Sequence, residues 1–184
     1  MGRPAVTLRS GAHLLYYARM RVALGADHAG VQLKDTVKRL LDERRVRYTD
    51  FGTNSDESVD YPDVAAQVAD GVGSGAFDRG ILVCGTGIGM AIAANKFHGV
   101  RAAPIADRDS ARLSRQHNDA NVLTLGARVT PADAALAIVN AFLDTPFEGG
   151  RHQQRLDKIA ALERASPENA IAERDEERGR DDAG

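Results

Sequence analysis

A lone cysteine directly precedes a glycine-rich segment in Cys84-Gly85-Thr86-Gly87-Ile88-Gly89. Glycines let the backbone turn several N–H groups toward one point, and at a helix start such a group of amides binds an anion. A helix N-terminus also favours the thiolate form of a nearby thiol. Cys84 is therefore a candidate base beside an anion-binding loop, although a lone cysteine is more commonly a small buried hydrophobic residue.

Three known loop motifs match this segment poorly. A phosphatase-type loop has Arg six residues after the cysteine, where this chain has Met90. A nucleoside-triphosphate P-loop ends in Gly-Lys-Ser/Thr, which does not occur here. The dinucleotide fingerprint G-x-G-x-x-G needs its third glycine one position later than Gly89, so the spacing does not match. Asp107 could still act as the ribose-binding acid of such a motif. A non-enzymatic dinucleotide-binding module therefore stays open as a weak alternative.

Other predicted loops and helix ends contain residues suited to acid–base work or phosphate binding. Asp27 and His28 follow the first predicted strand and could contact a substrate, although Asp27 could equally cap the next helix. His117 could serve as an acid–base residue, because histidine is suited to proton transfer near neutral pH, but a surface or core histidine explains it as simply. Arg151 and Arg155 lie four apart on one helix face, which suits either a phosphate or a solvated surface.

Short apolar segments alternate with amphipathic ones along the chain. Strands are predicted at 22–25, 46–51, 81–84, 100–106 and 122–125. Helices are predicted at 31–44, from Pro62 to the glycines near 73, and at 88–97, 109–116, 131–143 and 150–164. This alternation predicts an α/β fold, a three-layer α/β/α sandwich around a five-stranded parallel sheet (Rossmann-like). Such sheets bind ligands at the carboxyl ends of their strands.

Composition excludes several classes of protein. The chain has 184 residues, 24 Lys and Arg, and 26 Asp and Glu, which does not indicate a nucleic-acid partner. No apolar run approaches the ~18 residues of a membrane span. One cysteine excludes an intrachain disulfide and fits a reducing, cytoplasmic location. The five histidines lack metal-binding spacings such as HExxH, so we expect no metal.

The two ends of the chain differ in charge from the middle. Residues 1–19 contain three arginines and no acidic residue, and we predict a disordered extension. Residues 165–184 contain seven acidic and three basic residues with almost nothing apolar to bury, which predicts a disordered tail. The predicted domain is therefore 20–164.

Six segments together resemble the type B ribose-5-phosphate isomerase family, which includes galactose-6-phosphate and allose-6-phosphate isomerases. The resemblance covers about residues 20–163 and excludes both charged ends. The six segments, in chain order, are Gly25–Gly30, Asp60–Pro62, Cys84–Gly89, Ala93–Lys96, Arg115–Asp119 and Gly149–Arg155. Each is modest evidence alone, but all six in this order are specific.

The resemblance implies a role for each matching residue. Cys84 matches the base that abstracts the substrate proton in the cysteine branch of the family, and His117 matches the residue that opens the sugar ring. The Thr86 hydroxyl, with the loop amides, would stabilise the intermediate. The implied substrate-binding residues are Asp27, His28, Gly85, Gly87, Ile88, Gly89, Asn118, Arg128, Arg151 and Arg155.

The resemblance also implies the reaction. Family members interconvert ribose 5-phosphate and ribulose 5-phosphate through an enediolate, a step of the pentose phosphate pathway, with neither metal nor organic cofactor. They form homodimers or dimers of dimers with sites at the subunit interface. An isomerase of the same fold that acts on allose 6-phosphate, galactose 6-phosphate or a tetrulose phosphate is the principal alternative.

Overall fold

A computed structural model describes Tyr17 and residues 19–165. One sheet contains five parallel strands: β1 (Arg21–Ala26), β2 (Arg47–Asp50), β3 (Arg79–Cys84), β4 (Ala102–Pro104) and β5 (Val122–Gly126). The helices within residues 21–165 are α1 (Val31–Glu43), α2 (Tyr61–Gly73), α3 (Ile88–Ala94), α4 (Arg108–Asn118), α5 (Ala132–Asp144) and α6 (Arg151–Arg164). The predicted fold class and all five predicted strands are confirmed.

The strand order β2-β1-β3-β5-β4 places β3 at the centre of the sheet. Its last five residues are buried, as expected for a strand that is apolar on both faces. Chain order changes direction between β1 and β3, and in such sheets the crevice at that point binds ligands. In the register of the sheet, Cys84 pairs with Gly126 at the end of β5. The loops after β1, β3 and β5 are therefore neighbours.

Two apolar cores, one on each face of the sheet, produce the three layers. One core joins α1 and α5 to the sheet through residues such as Val37, Leu41, Ile138 and Phe142. The other joins α2 and α3 through residues such as Val64, Val68 and Met90, and it includes Cys84. No helix in the described part of the chain is long and apolar enough to cross a membrane.

Helix α3 and strand β4 are shorter than the sequence predicts. The helix ends at Ala94 rather than Phe97, and the strand covers 102–104 rather than 100–106. The cause is Asn95, whose side-chain amide donates to the Ala102 carbonyl (2.8 Å) and accepts from the Ala102 N–H (2.7 Å). These two hydrogen bonds take Asn95 out of the helix and fix the start of the edge strand.

The predicted extension 1–19 contains at least one core residue. Tyr17 is 1% exposed and packs in the same core as α1 and α5. Its hydroxyl donates to Asp144, and the Arg44 guanidinium lies 4.3 Å from the ring centroid. Tyr17 therefore packs with the residues of the predicted domain, because an aromatic ring buries well once its hydroxyl has a partner. Residues 1–16, 18 and 166–184 lie outside the described residues.

Candidate active site

The Cys84 sulfur contacts the glycine-rich loop. Cys84 is the last residue of β3, and its sulfur accepts a hydrogen bond from the Gly87 N–H at 3.1 Å. The side chain is buried, 5% exposed, at the edge of the core that contains α2 and α3. This hydrogen bond fixes the sulfur at the loop that leads into α3 instead of deeper in the apolar layer.

Gly87 gives the loop its shape. Its φ is +79°, and a Cβ there would lie 3.0 Å from the Leu125 carbonyl carbon, so only glycine fits without strain. The buried Thr124 hydroxyl donates to the Gly87 carbonyl at 2.8 Å. Thr86 is exposed, and its hydroxyl oxygen accepts from the Ile88 N–H at 3.4 Å. The Thr86 proton is therefore directed away from this contact and can serve a bound molecule.

A positive charge lies over the first glycine of the loop. The backbone N–H of Arg128 donates to the Gly85 carbonyl at 3.0 Å. A Cβ on Gly85 would lie 3.3 Å from Nη1 of Arg128, so the guanidinium covers Gly85 directly. The cation and the loop amides together favour an anion or a developing negative charge at this position.

Asp27 lies beside the end of β3. Its N–H donates to the Val83 carbonyl at 3.2 Å, next to Cys84. Its carboxylate accepts from the Gly30 N–H at 3.1 Å and so caps the single 3-10 turn His28–Gly30. The capping role considered from the sequence is therefore present. One hydrogen bond leaves carboxylate lone pairs for a substrate hydroxyl, so capping and substrate contact are compatible.

One ring nitrogen of His28 accepts a backbone hydrogen bond. The Val59 N–H donates to His28 Nδ1 at 3.3 Å. Since Nδ1 accepts, the neutral ring carries its proton on Nε2 and acts there as a donor. His28 is half-buried and lines a cavity of about 440 Å³ between the starts of α1 and α5. Nε2 is therefore the ring nitrogen left to donate to a bound molecule.

Buried Lys34 fixes the segment that contacts His28. Its Nζ donates to Asp50 (3.0 Å), to the Thr53 carbonyl (2.6 Å) and to the Asn54 side chain (3.0 Å). These bonds order the chain after β2, which continues to Val59. Sequence reasoning assigned Lys34 no role, because nothing in an amphipathic helix pattern shows that one lysine faces inward.

Tyr61 is a site residue that sequence reasoning left without a role. It is 40% exposed at the start of α2, and a Cβ on Gly89 would lie 3.0 Å from its hydroxyl oxygen. The tyrosine therefore lies against the glycine loop. Its position in Asp60-Tyr61-Pro62, one of the six matching segments, was the available signal. We call Asp27, His28, Tyr61, Cys84–Gly89 and Arg128 the carboxyl-edge cluster.

His117 and Asn118 lie at the amino ends of the strands, which we call the amino edge, opposite the carboxyl-edge cluster. They end α4, four residues before β5 begins at Val122. The Arg101 guanidinium, just before β4, donates to the Asn118 carbonyl at 3.1 Å. Strands rise roughly 3.3 Å per residue, so the six residues of β3 separate the two edges by roughly 20 Å. One chain therefore does not bring His117 to Cys84.

The start of α6 joins His117 at this edge. The Glu148 N–H donates to the Gln116 carbonyl at 3.1 Å, which places the following residues beside the end of α4. The His152 ring stacks on the His117 ring with centroids 4.3 Å apart and planes 7° apart. Exposed Arg151 and Arg155 belong to the same turns. We call His117, Asn118, Arg151, His152 and Arg155 the amino-edge cluster.

Burial lowers the pKa of His152, and the neighbouring His117, Arg151 and Arg155 lower it further. The Glu148 carboxylate acts in the opposite direction with a smaller effect. His152 is therefore neutral at neutral pH.

Within residues 19–165, the one group of side chains with the composition of a metal site is His117, Glu148 and His152. Their potential ligand atoms lie within 4.8 Å of one another. The two rings are nearly parallel, so the lone pairs of adjacent nitrogens point in one direction and do not converge on a single ion. Both rings would have to leave the stack to share a metal.

Comparison with known proteins identifies the family of this chain. Residues 22–159 match the model of the ribose/galactose isomerase family. The chain is 52% identical to ribose-5-phosphate isomerase B of Escherichia coli, over 78% of this chain and 96% of that protein. It is 43% identical to D-erythrulose-4-phosphate isomerase of Pectobacterium atrosepticum, over 78% of this chain and 95% of that protein.

A solved structure matches at the level of the fold. Ribose-5-phosphate isomerase B of Mycoplasma genitalium, with bound ribulose 5-phosphate, is 42% identical and has a TM-score of 0.78. The match covers 80% of this chain and 99% of that one. The order of the motifs, the sheet and these similarities lead to one conclusion: the chain belongs to the ribose/galactose isomerase family.

Proposed function

We propose that this protein interconverts D-ribose 5-phosphate and D-ribulose 5-phosphate as an aldose–ketose isomerase. The observation that carries the proposal is the Cys84 sulfur, which the Gly87 amide fixes beside a loop covered by the Arg128 guanidinium. Family membership and the 52% identity to a ribose-5-phosphate isomerase B support the choice of substrate.

The central step moves a proton between adjacent carbons. The Cys84 thiolate removes the hydrogen on carbon 2 of the open-chain aldose, and the electron pair moves onto the carbon 1 oxygen to form an enediolate. A proton then passes from the carbon 2 hydroxyl to the carbon 1 oxygen. The same sulfur returns its own proton to carbon 1 as the carbon 2 carbonyl forms, which completes the ketose. The reaction needs a base beside carbon 2 and fixed donors beside the oxygen, and the carboxyl-edge cluster supplies both.

The loop amides have a part in both states of the sulfur. The Gly87 N–H contacts the sulfur in the resting site. When the sulfur accepts the proton, the negative charge of the sulfur disappears, so the same N–H becomes available to the new charge on the enediolate oxygen. The Thr86 hydroxyl and Arg128 add further positive potential. Each well-placed donor of this kind contributes ~3 kcal/mol, or about 100-fold in rate.

Ring opening precedes this step, because ribose 5-phosphate is mostly cyclic. His117 moves a proton from the anomeric hydroxyl to the ring oxygen, which opens the ring. Asn118 contacts the sugar, and the Arg151 and Arg155 guanidinium groups bind the phosphate and so fix carbon 2 beside the sulfur. These four residues belong to the amino-edge cluster, so a complete site needs residues of both clusters.

The protein therefore works as a homodimer, or as a dimer of dimers, in which a second copy brings its amino-edge cluster to the carboxyl-edge cluster of the first. Exposed apolar side chains near both clusters support this arrangement. Ile88 and Ile92 are 56% and 59% exposed on α3, and Leu162 is 73% exposed on α6. Large apolar residues exposed in this way are typical of a face that another subunit covers. Since its base is a reduced thiol, we place the enzyme in the cytoplasm.

The direct test is Cys84→Ala in the purified protein. We expect loss of turnover and loss of deuterium exchange into the sugar phosphate, with binding of ribulose 5-phosphate retained in calorimetry. Binding without exchange would identify the sulfur as the base. Unchanged turnover would remove Cys84 from this role.

A four-carbon sugar phosphate is a second candidate substrate, because a relative at 43% identity is named D-erythrulose-4-phosphate isomerase. The chemistry at Cys84 would be the same, and the distance between the sulfur and the phosphate-binding arginines would select the chain length. Turnover of four-, five- and six-carbon sugar phosphates by one preparation distinguishes the candidates. A kcat/KM highest for ribose 5-phosphate is expected.

A further inference from the structure

The buried His152 has no part in the chemistry proposed above. Its side chain is 5% exposed, and its Nδ1 has no hydrogen-bond partner among the described residues. Its Nε2 lies 3.8 Å from the Glu148 carboxylate, which is beyond hydrogen-bonding distance. Burying polar ring nitrogens without partners is unfavourable. The contact that accounts for its position is the ring stack with His117.

The stack connects two backbone segments that are already fixed to each other. His117 belongs to the last turn of α4, and the Glu148 N–H donates to the carbonyl of the preceding Gln116. The His152 N–H donates to the Gly149 carbonyl at 3.0 Å. The backbone therefore determines where His152 lies, and the His152 ring limits the plane that the His117 ring can adopt.

Ring plane matters for His117 because it must reach a particular sugar oxygen. The χ2 torsion of histidine is broad, so an isolated His117 could turn its nitrogens through a wide range. Proton transfer requires a nitrogen within about 3 Å of the reacting oxygen. A neutral neighbour stacks on His117 without charge repulsion. The groups that face the pair are Glu148, Arg151 and Arg155, and the two arginines oppose a second positive charge on His152.

We propose that His152 is a positioning residue for ring opening, which holds the His117 ring in the plane that proton transfer to the cyclic sugar requires. This rests on the proposed function. His152 itself transfers no proton in this scheme. The flat ring, and not its nitrogens, is what the reaction needs.

The test separates ring opening from the enediolate step. Ribulose 5-phosphate is open-chain, because its 5-hydroxyl is phosphorylated and cannot close a ring. Exchange of its carbon 1 hydrogen with deuterated water therefore reports on Cys84 and its loop alone, whereas conversion of ribose 5-phosphate also needs ring opening. We expect His152→Leu to slow ribose 5-phosphate conversion by about tenfold or more, with exchange within about twofold of the parent protein.

Substitution by a second flat ring provides the matched control. His152→Phe keeps the stack and removes both nitrogens, so we expect it to retain most of the conversion rate. Equal losses in His152→Phe and His152→Leu would overturn the proposal, since the nitrogens would then be required. A parallel loss of exchange, or no loss of conversion in His152→Leu, would overturn it as well.

A double substitution completes the experiment. In a His117→Ala background there is no ring left to orient, so His152→Leu should cause no further loss of ribose 5-phosphate conversion. An additional tenfold loss there would overturn the proposal. If the unsubstituted protein shows neither exchange nor conversion, the proposed function itself fails, and that outcome is distinct from every variant-specific result.

Discussion

The position of the Cys84 sulfur depends on the backbone of Gly87. The Gly87 N–H that contacts the sulfur points there because the residue adopts a φ of +79°, which an L side chain rarely tolerates. A methyl group would also approach the Leu125 carbonyl carbon to 3.0 Å. One residue without a side chain thus determines both the loop shape and the location of the candidate base.

This dependence predicts the effect of Gly87→Ala. We expect a loss of about 1–3 kcal/mol in the free energy of unfolding, from strained backbone, together with a loss of isomerase activity of at least about tenfold. Gly75→Ala is the matched control, because Gly75 has a φ of +76° with no neighbouring atom within 4 Å. It should lose stability but keep activity. Urea unfolding and initial rates check both, and full activity in Gly87→Ala would contradict the role of the loop.

His152 predicts a pH dependence of stability. Burial lowers its pKa below the ordinary value of 6.5, so the unfolded chain binds a proton at a higher pH than the folded chain does. The contribution of neutral His152 to the free energy of unfolding is therefore fully present above about pH 7.5. It is lost as the pH falls through 6.5 toward the lowered pKa. Unfolding of the parent and of His152→Phe over about pH 5–8 tests this. The same change in the free energy of unfolding with pH in both proteins would contradict this prediction.

At the scale of elements, Lys34 connects α1 to the segment after β2, and that segment contacts His28. The lysine is fully buried, whereas Lys38, one turn later on α1, is 29% exposed and also pairs with Asp50 (3.1 Å). The two lysines share one carboxylate, but only Lys34 also bonds Thr53 and Asn54. The local order of this part of the site therefore depends on the buried member of the pair.

Lys34→Met is expected to destabilise the protein by about 3 kcal/mol, because it removes the buried charge that pairs with Asp50 and the donor that the Thr53 and Asn54 oxygens share with that carboxylate. Lys38→Met should lose less than about 1 kcal/mol, since the Lys38 ammonium is partly solvated and Lys34 still pairs with Asp50. We also expect Lys34→Met to raise KM more than it lowers kcat, because the segment that Lys34 orders contacts His28, which we propose as a substrate-binding residue. Equal effects of the two substitutions on both readouts would show that the loop contacts of Lys34 are unimportant.

At the scale of the whole molecule, the two clusters lie at opposite edges of one sheet, and this arrangement predicts complementation between inactive variants. Cys84→Ala and His117→Ala should each lose ribose 5-phosphate conversion. When equal amounts are unfolded together and refolded, half of the dimers are mixed, and each mixed dimer contains one site with both native residues. About a quarter of the parent activity should return. No recovery, with mixed dimers verified by native mass spectrometry, would place both residues in a site built from one chain.

Much of the fold could be predicted from local pattern. Alternating apolar segments predicted all five strands, and the position of Pro62 predicted the start of α2 within one residue. The structure differs from the sequence prediction where a contact between residues that are not adjacent in the chain overrides local preference. Helix α3 ends before Asn95 because the Asn95 side chain hydrogen-bonds Ala102. Tyr17 is buried in the core because its hydroxyl hydrogen-bonds Asp144 and its ring contacts Arg44. None of these three partners is adjacent in the chain to the residue that it contacts.

The sequence by itself determined which chemical groups are present and the order in which they occur: a thiol before a glycine loop, acid–base residues and paired arginines, all on an α/β pattern. Those features depend on residue type and on spacings of a few residues, which a sequence states directly. Only the tertiary structure decided which groups meet. Helices run antiparallel to the strands, so His117 lies at the edge opposite Cys84, against His152, 35 positions away in the chain. Contacts of this kind follow from the packing of whole helices and strands, and no short spacing in the sequence predicts them.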